Sequence, residues 1–165
     1  MPTRWTQPTS WPEHVASEMR AVESEERAYS PLAIVRASQA DGRRLAAAYW
    51  HEVERTTGGL VRVRETSDGL ALRALGAPLL KFGLPRIDAA GDRVACRYPI
   101  KGGLLARRSG GSIAFEQYGK VLTSSISGFH PRLGLLPGLY SHVQARIHAA
   151  VSRRYFARVL RESAT

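Results

Sequence analysis

LYSHVQARIHAAVSRRYFARVLRE, residues 139–162, is the stretch that decides the fold. At 100° per residue Tyr140, Val143, Ile147, Ala150, Val151 and Tyr155 fall on one side, which predicts an amphipathic helix after Pro137. Arg153, Arg154, Arg158 and Arg161 crowd its C-terminal end, where the helix dipole favours cations. A helix of this kind must bury its apolar side against a broad surface.

That surface precedes it. From residue 60 the period changes to two: Val61 and Val63 alternate with Arg62 and Arg64, and Leu70 and Leu72 follow the turn Ser67-Asp68-Gly69 as the return strand of a hairpin. Pro78 to Pro85 reads as a less regular bridge to a second turn, Ala90-Gly91-Asp92. Val94, Cys96, Tyr98 and Ile100 then alternate with Arg93, Ala95 and Arg97. Arg107 to Gly111 turns, Ser112 to Tyr118 makes a further strand, and Gly119-Lys120 turns into Val121 to Ile126. The pattern predicts a meander of five or six antiparallel strands. Nothing else in the chain is large enough to cover it, so the last helix is expected to do so.

Toward the N-terminus the signals are weaker. The first eleven residues read as a loose arm, and Pro12-Glu13 opens an acidic helix to about Glu26. Tyr29 to Arg36 reads as a short edge strand because of Pro31. Asp41 caps a helix whose face is Leu45, Ala48, Tyr49, Val53 and Thr56, and Gly58-Gly59 ends it. The expected fold class is α+β: a curved antiparallel sheet wrapped around a long C-terminal helix, with an extra N-terminal helix. Residues 1–27 form the arm and acidic helix, and residues 28–165 a single domain.

With 165 residues, 44% hydrophobic and 23% charged, the chain can bury roughly 70% of its unfolded surface and needs no staples. One cysteine, Cys96, excludes an internal disulfide framework and a cysteine-based zinc site. There is no signal-peptide pattern and no apolar run near the ~20 residues of a spanning helix, so a cytoplasmic protein without a transmembrane segment is expected. The net charge of +10 is unevenly placed. Residues 1–56 hold seven arginines against eight acids, whereas residues 57–165 hold seventeen basic residues against six acids. That field suits nucleic acid, an anionic membrane surface or a carboxylated ligand, and equally a solvated face.

The element order of strand, helix, glycine-punctuated meander (60–127) and long final helix resembles the helix-grip fold of the START/Bet v 1-like superfamily, which includes polyketide cyclases and lipid-transfer domains. The resemblance covers residues 28–162 and rests on Tyr29–Arg36, the meander and Leu139–Arg161 rather than on a motif. It implies an apolar cavity between sheet and last helix, and it carries over no catalytic residue. The chain differs in its acidic N-terminal helix and in having one helix, not two, between the first two strands. A lipocalin-like closed barrel with a trailing helix is the rival architecture.

The five histidines form no compact metal spacing, so neither a metal nor a cofactor is expected. The paired glycines at 58–59, 102–103 and 110–111 lack a phosphate-loop lysine and read as turns or bulges. Ser112 after Gly110-Gly111 precedes a strand, not the helix a nucleophile elbow requires. His130 and Arg132 join the last strand to the final helix, where imidazole can serve as acid or base; the alternative is a proline-directed turn. On the final helix Tyr140, Gln144 and His148 lie on or beside the apolar stripe, and Arg154 and Arg158 fall on it, so these arginines either reach the rim or meet a ligand anion or Glu116, a structural Glu–Arg pair being favoured. With Tyr98 and Tyr118, these residues make up the expected ligand-binding set: Tyr98, Glu116, Tyr118, His130, Arg132, Tyr140, Gln144 and His148.

Three function classes follow. One is a pocket for a hydrophobic or aromatic small molecule, carboxylated or not, in a binding protein or a cyclase- or aromatase-like enzyme. The second is a basic module for nucleic acid or an anionic membrane. The third is a homodimer in which the acidic N-terminal segment of one copy docks on the basic body of the next.

Overall fold

The computed structural model describes residues 22–30, 32–131 and 137–163. The elements in order are β1 (Val22–Tyr29), α1 (Gln39–Thr56), β2 (Val61–Thr66), β3 (Gly69–Ala74), β4 (Ala77–Gly83), β5 (Arg86–Ala90), β6 (Arg93–Gly102), β7 (Ser112–Tyr118), β8 (Val121–Phe129) and α2 (Pro137–Ser163). The strands form one antiparallel eight-stranded sheet of order β1-β8-β7-β6-β4-β3-β2, with β5 also paired to β6. β1 and β2 are its two edges, so the sheet is open and the closed-barrel alternative falls away.

The expected α+β class holds, and so do the hairpin at Ser67-Asp68, the turn at Gly91-Asp92, the strand Ser112–Tyr118 and the long final helix. Three differences matter most. The first strand is Val22–Tyr29 rather than Tyr29–Arg36, and it takes residues 22–26 from the expected acidic helix, the rest of which lies outside the described residues. Its inward positions are Ser24, Glu26 and Ala28, so it shows no apolar alternation; its backbone pairing with β8 decides its state. After it Ser30 N donates to Lys120 O and Ile34 N to Gly119 O.

The segment expected to be irregular, 78–85, is mostly strand. β4 begins beside Pro78, with a one-residue shift of register against β3, and the break falls at Leu84-Pro85, after which β5 resumes along β6. Proline removes a ladder donor, which is tolerated at a bulge or a strand start. The cap of α1 also moves: Ser38 is the N-cap and Asp41 its reciprocal partner in a capping box.

The larger correction concerns what covers the sheet. α2 was expected to be the only cover, but α1 lies over β2, β5, β6 and β7, and α2 packs across α1 and along β1. The stripe of α1 carries two large rings, Tyr49 and Trp50, beside Leu45 and Val53, all buried. Gly42 lets the start of α1 approach β5 and β6, since a Cβ there would sit 2.6 Å from Ile87. α2 adds Val151, Tyr155, Phe156 and Val159. Arg158 lies on its half-buried side and meets Glu52 of α1 at 3.4 Å, not Glu116 as the sequence suggested. Glu52 is almost fully buried, so this pair ties the two helices together.

If α1 is the principal cover, Leu45→Ala, at a fully buried position, should lower the unfolding free energy in urea by about 2–5 kcal/mol. A loss well below about 1 kcal/mol would place that face of α1 outside the core.

Candidate functional site

Along β6, β7 and β8 alternate residues point inward: Val94, Cys96, Tyr98 and Ile100; Ile113 and Phe115; Leu122, Ser124 and Ile126. After a one-residue slip of β8 against β1, Phe129 also faces inward. α1 lays Tyr49, Trp50 and Val53 over this surface, leaving an apolar cavity of about 60 Å³. Its sheet wall consists of Leu72, Leu80, Phe82, Ile100, Ile113, Ile126 and Phe129.

The core also buries polar groups. Tyr49, whose ring forms part of the wall, has its hydroxyl 3.1 Å from Nδ1 of His148 on α2. The same ring lies 4.5 Å from Phe115 and 5.5 Å from Tyr155. His148, Ser152 and Tyr155 are spaced for one side of α2, and all three are buried. On the sheet, Ser124 is fully buried, pairs across the strands with Phe115, and lies two residues from Ile126 of the cavity wall. Among the described residues no group hydrogen-bonds to His148 Nε2, Ser152 Oγ, Tyr155 Oη or Ser124 Oγ. Leaving such atoms unsatisfied costs about 1–3 kcal/mol each, a large part of the about 5–15 kcal/mol that holds a domain together.

Burial sets the ionisation of these groups. The His148 imidazole is pushed down to about 4 and is therefore neutral at pH 7. The Tyr49 and Tyr155 phenols are pushed far above their usual range, also by burial. Glu26, on the inward side of β1 opposite Ser124, is raised by burial, with Arg153 pulling the other way. The Cys96 thiol is pushed up to about 11 by burial, which keeps it protonated and unreactive.

Of the expected site residues, five have described side chains, and these fall on different faces of the fold. His148 is among the buried polar groups, and Tyr98 faces inward, edge-on to Trp50 at 5.4 Å, with burial raising its phenol. Glu116 and Tyr118 are on the opposite face of β7, because Phe115 and Gln117 take the inward positions. Glu116 there forms an ion pair with Arg93 at 2.6 Å, and Tyr118 is exposed. His130 is half-exposed and accepts from Arg108, 3.1 Å from Nε2, so it belongs to the 106–108 loop rather than to the cavity. Arg132 lies outside the described residues, as do the side chains of Tyr140 and Gln144.

Sequence reasoning missed Tyr49, Ser124, Ser152 and Tyr155 as buried polar residues. The two tyrosines were read only as apolar stripe members, and the serines carried no signal, since a serine on a strand or helix is ordinarily a surface residue. The described residues hold no cluster of three or more histidine, cysteine or acidic groups placed to bind a metal. None of the helices, among those residues, is long and apolar enough to cross a membrane. Compared with known proteins, the chain matches no family model, no curated protein and no solved structure.

The His148 shift has a consequence for stability. The folded state resists protonation that the unfolded chain accepts near pH 6.5, so the unfolded state binds more protons between about pH 6.5 and 4. Stability should be fully present above pH 6.5 and fall as the pH drops toward 4, by on the order of 3 kcal/mol from this group. Urea unfolding across that range should show the slope in the native protein and a flatter one in His148→Gln; identical slopes would contradict a buried neutral imidazole.

Proposed function

We propose that this protein binds a small, mostly apolar molecule on the inner side of its sheet and holds it by one polar group. The observation that carries this reading is a set of buried polar atoms without a partner among the described residues, linked to the apolar cavity through Tyr49, whose ring lines it and whose hydroxyl meets His148. An interior built only for stability would place hydrocarbon at those positions. The arrangement offers a ligand carbonyl or hydroxyl both a donor and an acceptor, from the serine and tyrosine hydroxyls and the neutral His148.

Topology supports the same reading. The first strand pairs with the last, a helix lies between the first two strands, and a long helix follows the sheet, which is the order of the START/Bet v 1-like proteins the sequence resembles. In that reading the protein is a helix-grip module acting in the cytoplasm. Turnover of a cyclase or aromatase kind would rest on shaping the ligand in the pocket, with the Tyr49–His148 pair holding it by a hydrogen bond at the phenol oxygen.

Size sets a condition. About 60 Å³ admits only a few atoms, well below the roughly 300 Å³ of an ordinary ligand pocket. Binding therefore requires the half-buried wall residues Leu72, Leu80 and Ile126 to move. The substitution Ile126→Trp, which fills that space, should abolish uptake.

Native mass spectrometry of protein purified gently from its own host should show a small apolar adduct, absent from Ile126→Trp and bound about tenfold more weakly in Tyr49→Phe. A protein without an adduct that also fails to take up anilinonaphthalene sulfonate would contradict the reading.

A further inference from the structure

The outer face of the sheet carries a feature that the interior site does not use. Arg62 of β2 and Arg73 of β3 stand directly opposite each other in register, and Arg64 is on the same face. Like charges directly opposite on neighbouring strands repel. No described carboxylate forms an ion pair with any of the three. They border an open hollow of about 460 Å³ between the glycine turn after α1 and the turn joining β3 to β4. Arg73 donates to Gly76 O and Arg62 lies against Gly59, so both guanidiniums are held at the rim.

Two exposed leucines share that rim. Leu60 is 64% exposed, and Leu75, at the tip of the β3–β4 turn, is 94% exposed with φ at 50°. A leucine in the left-handed region is rare and costly, and glycine or asparagine is the ordinary choice there. Leu104 N donates to Pro78 O at 3.0 Å, which brings a third exposed leucine to the same end of the sheet. Nothing in the fold accounts for apolar side chains at a turn tip beside unpaired arginines.

We infer that this end of the sheet docks on an anionic bilayer surface, with Arg62, Arg64 and Arg73 taking lipid phosphates and Leu60 and Leu75 entering the headgroup layer. Guanidinium groups bind phosphate through paired N–H donors, and apolar side chains among them add the burial that peripheral membrane binding needs. Nucleic acid would fit less well, because the hollow has no aromatic side chain on which a base could stack. This inference does not rest on the interior site.

The test is co-sedimentation with phosphatidylcholine vesicles, alone and with added phosphatidylserine. The native protein should partition onto the anionic vesicles only, less so as salt rises. Arg62→Ala/Arg73→Ala should lower the partition about 30-fold, at roughly fivefold per arginine. Leu75→Gly, which the backbone accommodates, should lower it about tenfold. Leu84→Ser, at an exposed leucine at the far end of β4, should leave it unchanged. Equal partition onto neutral vesicles would overturn the inference, as would binding to a DNA duplex but to no vesicle. Anionic binding that survives both rim variants would overturn it as well.

Discussion

The Tyr49 side chain is the joint of this structure. Its ring packs on Phe115 of the sheet and Tyr155 of α2, and meets Trp50 edge-on at 5.3 Å; its hydroxyl reaches His148. One residue of α1 therefore touches the sheet, the second helix and the cavity. The aromatic contacts supply burial and orientation, and the hydrogen bond fixes where α2 sits along its own axis. Glu52, on the next turn of α1, repeats the tie through Arg158. If Tyr49 were placed otherwise, the buried polar groups would lose both their first member and their connection to the cavity.

The sheet separates two chemistries by its alternation. Inward positions of β6, β7 and β8 are mostly apolar, with Ser124 and Gln117 as buried polar members, and outward positions include Arg93, Arg97, Lys101 and Glu116. The basic residues of β6 are thus held on the solvent side of the sheet, where they cost little. They can act on partners without disturbing the core. The fold keeps a candidate ligand site on one face and an arginine-rich edge on the other.

What could be read in advance follows from which residues carry a periodic signal. Val61 and Val63 against Leu70 and Leu72, and Val94 to Ile100, alternate strongly, and their strands are where the pattern placed them. β1 has Ser24, Glu26 and Ala28 inward and so looks like part of a charged helix; pairing with β8, not hydrophobicity, makes it a strand. Glu116 and Tyr118 were attractive as lone polar residues mid-strand, yet the register that puts Phe115 in the core sends both to the other face. The stripe of α1 was legible as Leu45, Tyr49 and Val53, but its role as the main cover of the sheet depends on contacts far apart in sequence. His148 was visible because it flanks an apolar stripe; its partner Tyr49, 99 residues away, was not.

The account depends on the Tyr49 hydroxyl and His148 acting as a unit inside the core. A double-mutant cycle of Tyr49→Phe and His148→Leu, read from urea unfolding at pH 7, measures that directly. A coupling of about 1 kcal/mol or more is the predicted result. Additive effects, with no coupling beyond experimental error, would show that the two side chains do not interact and would contradict the site as described.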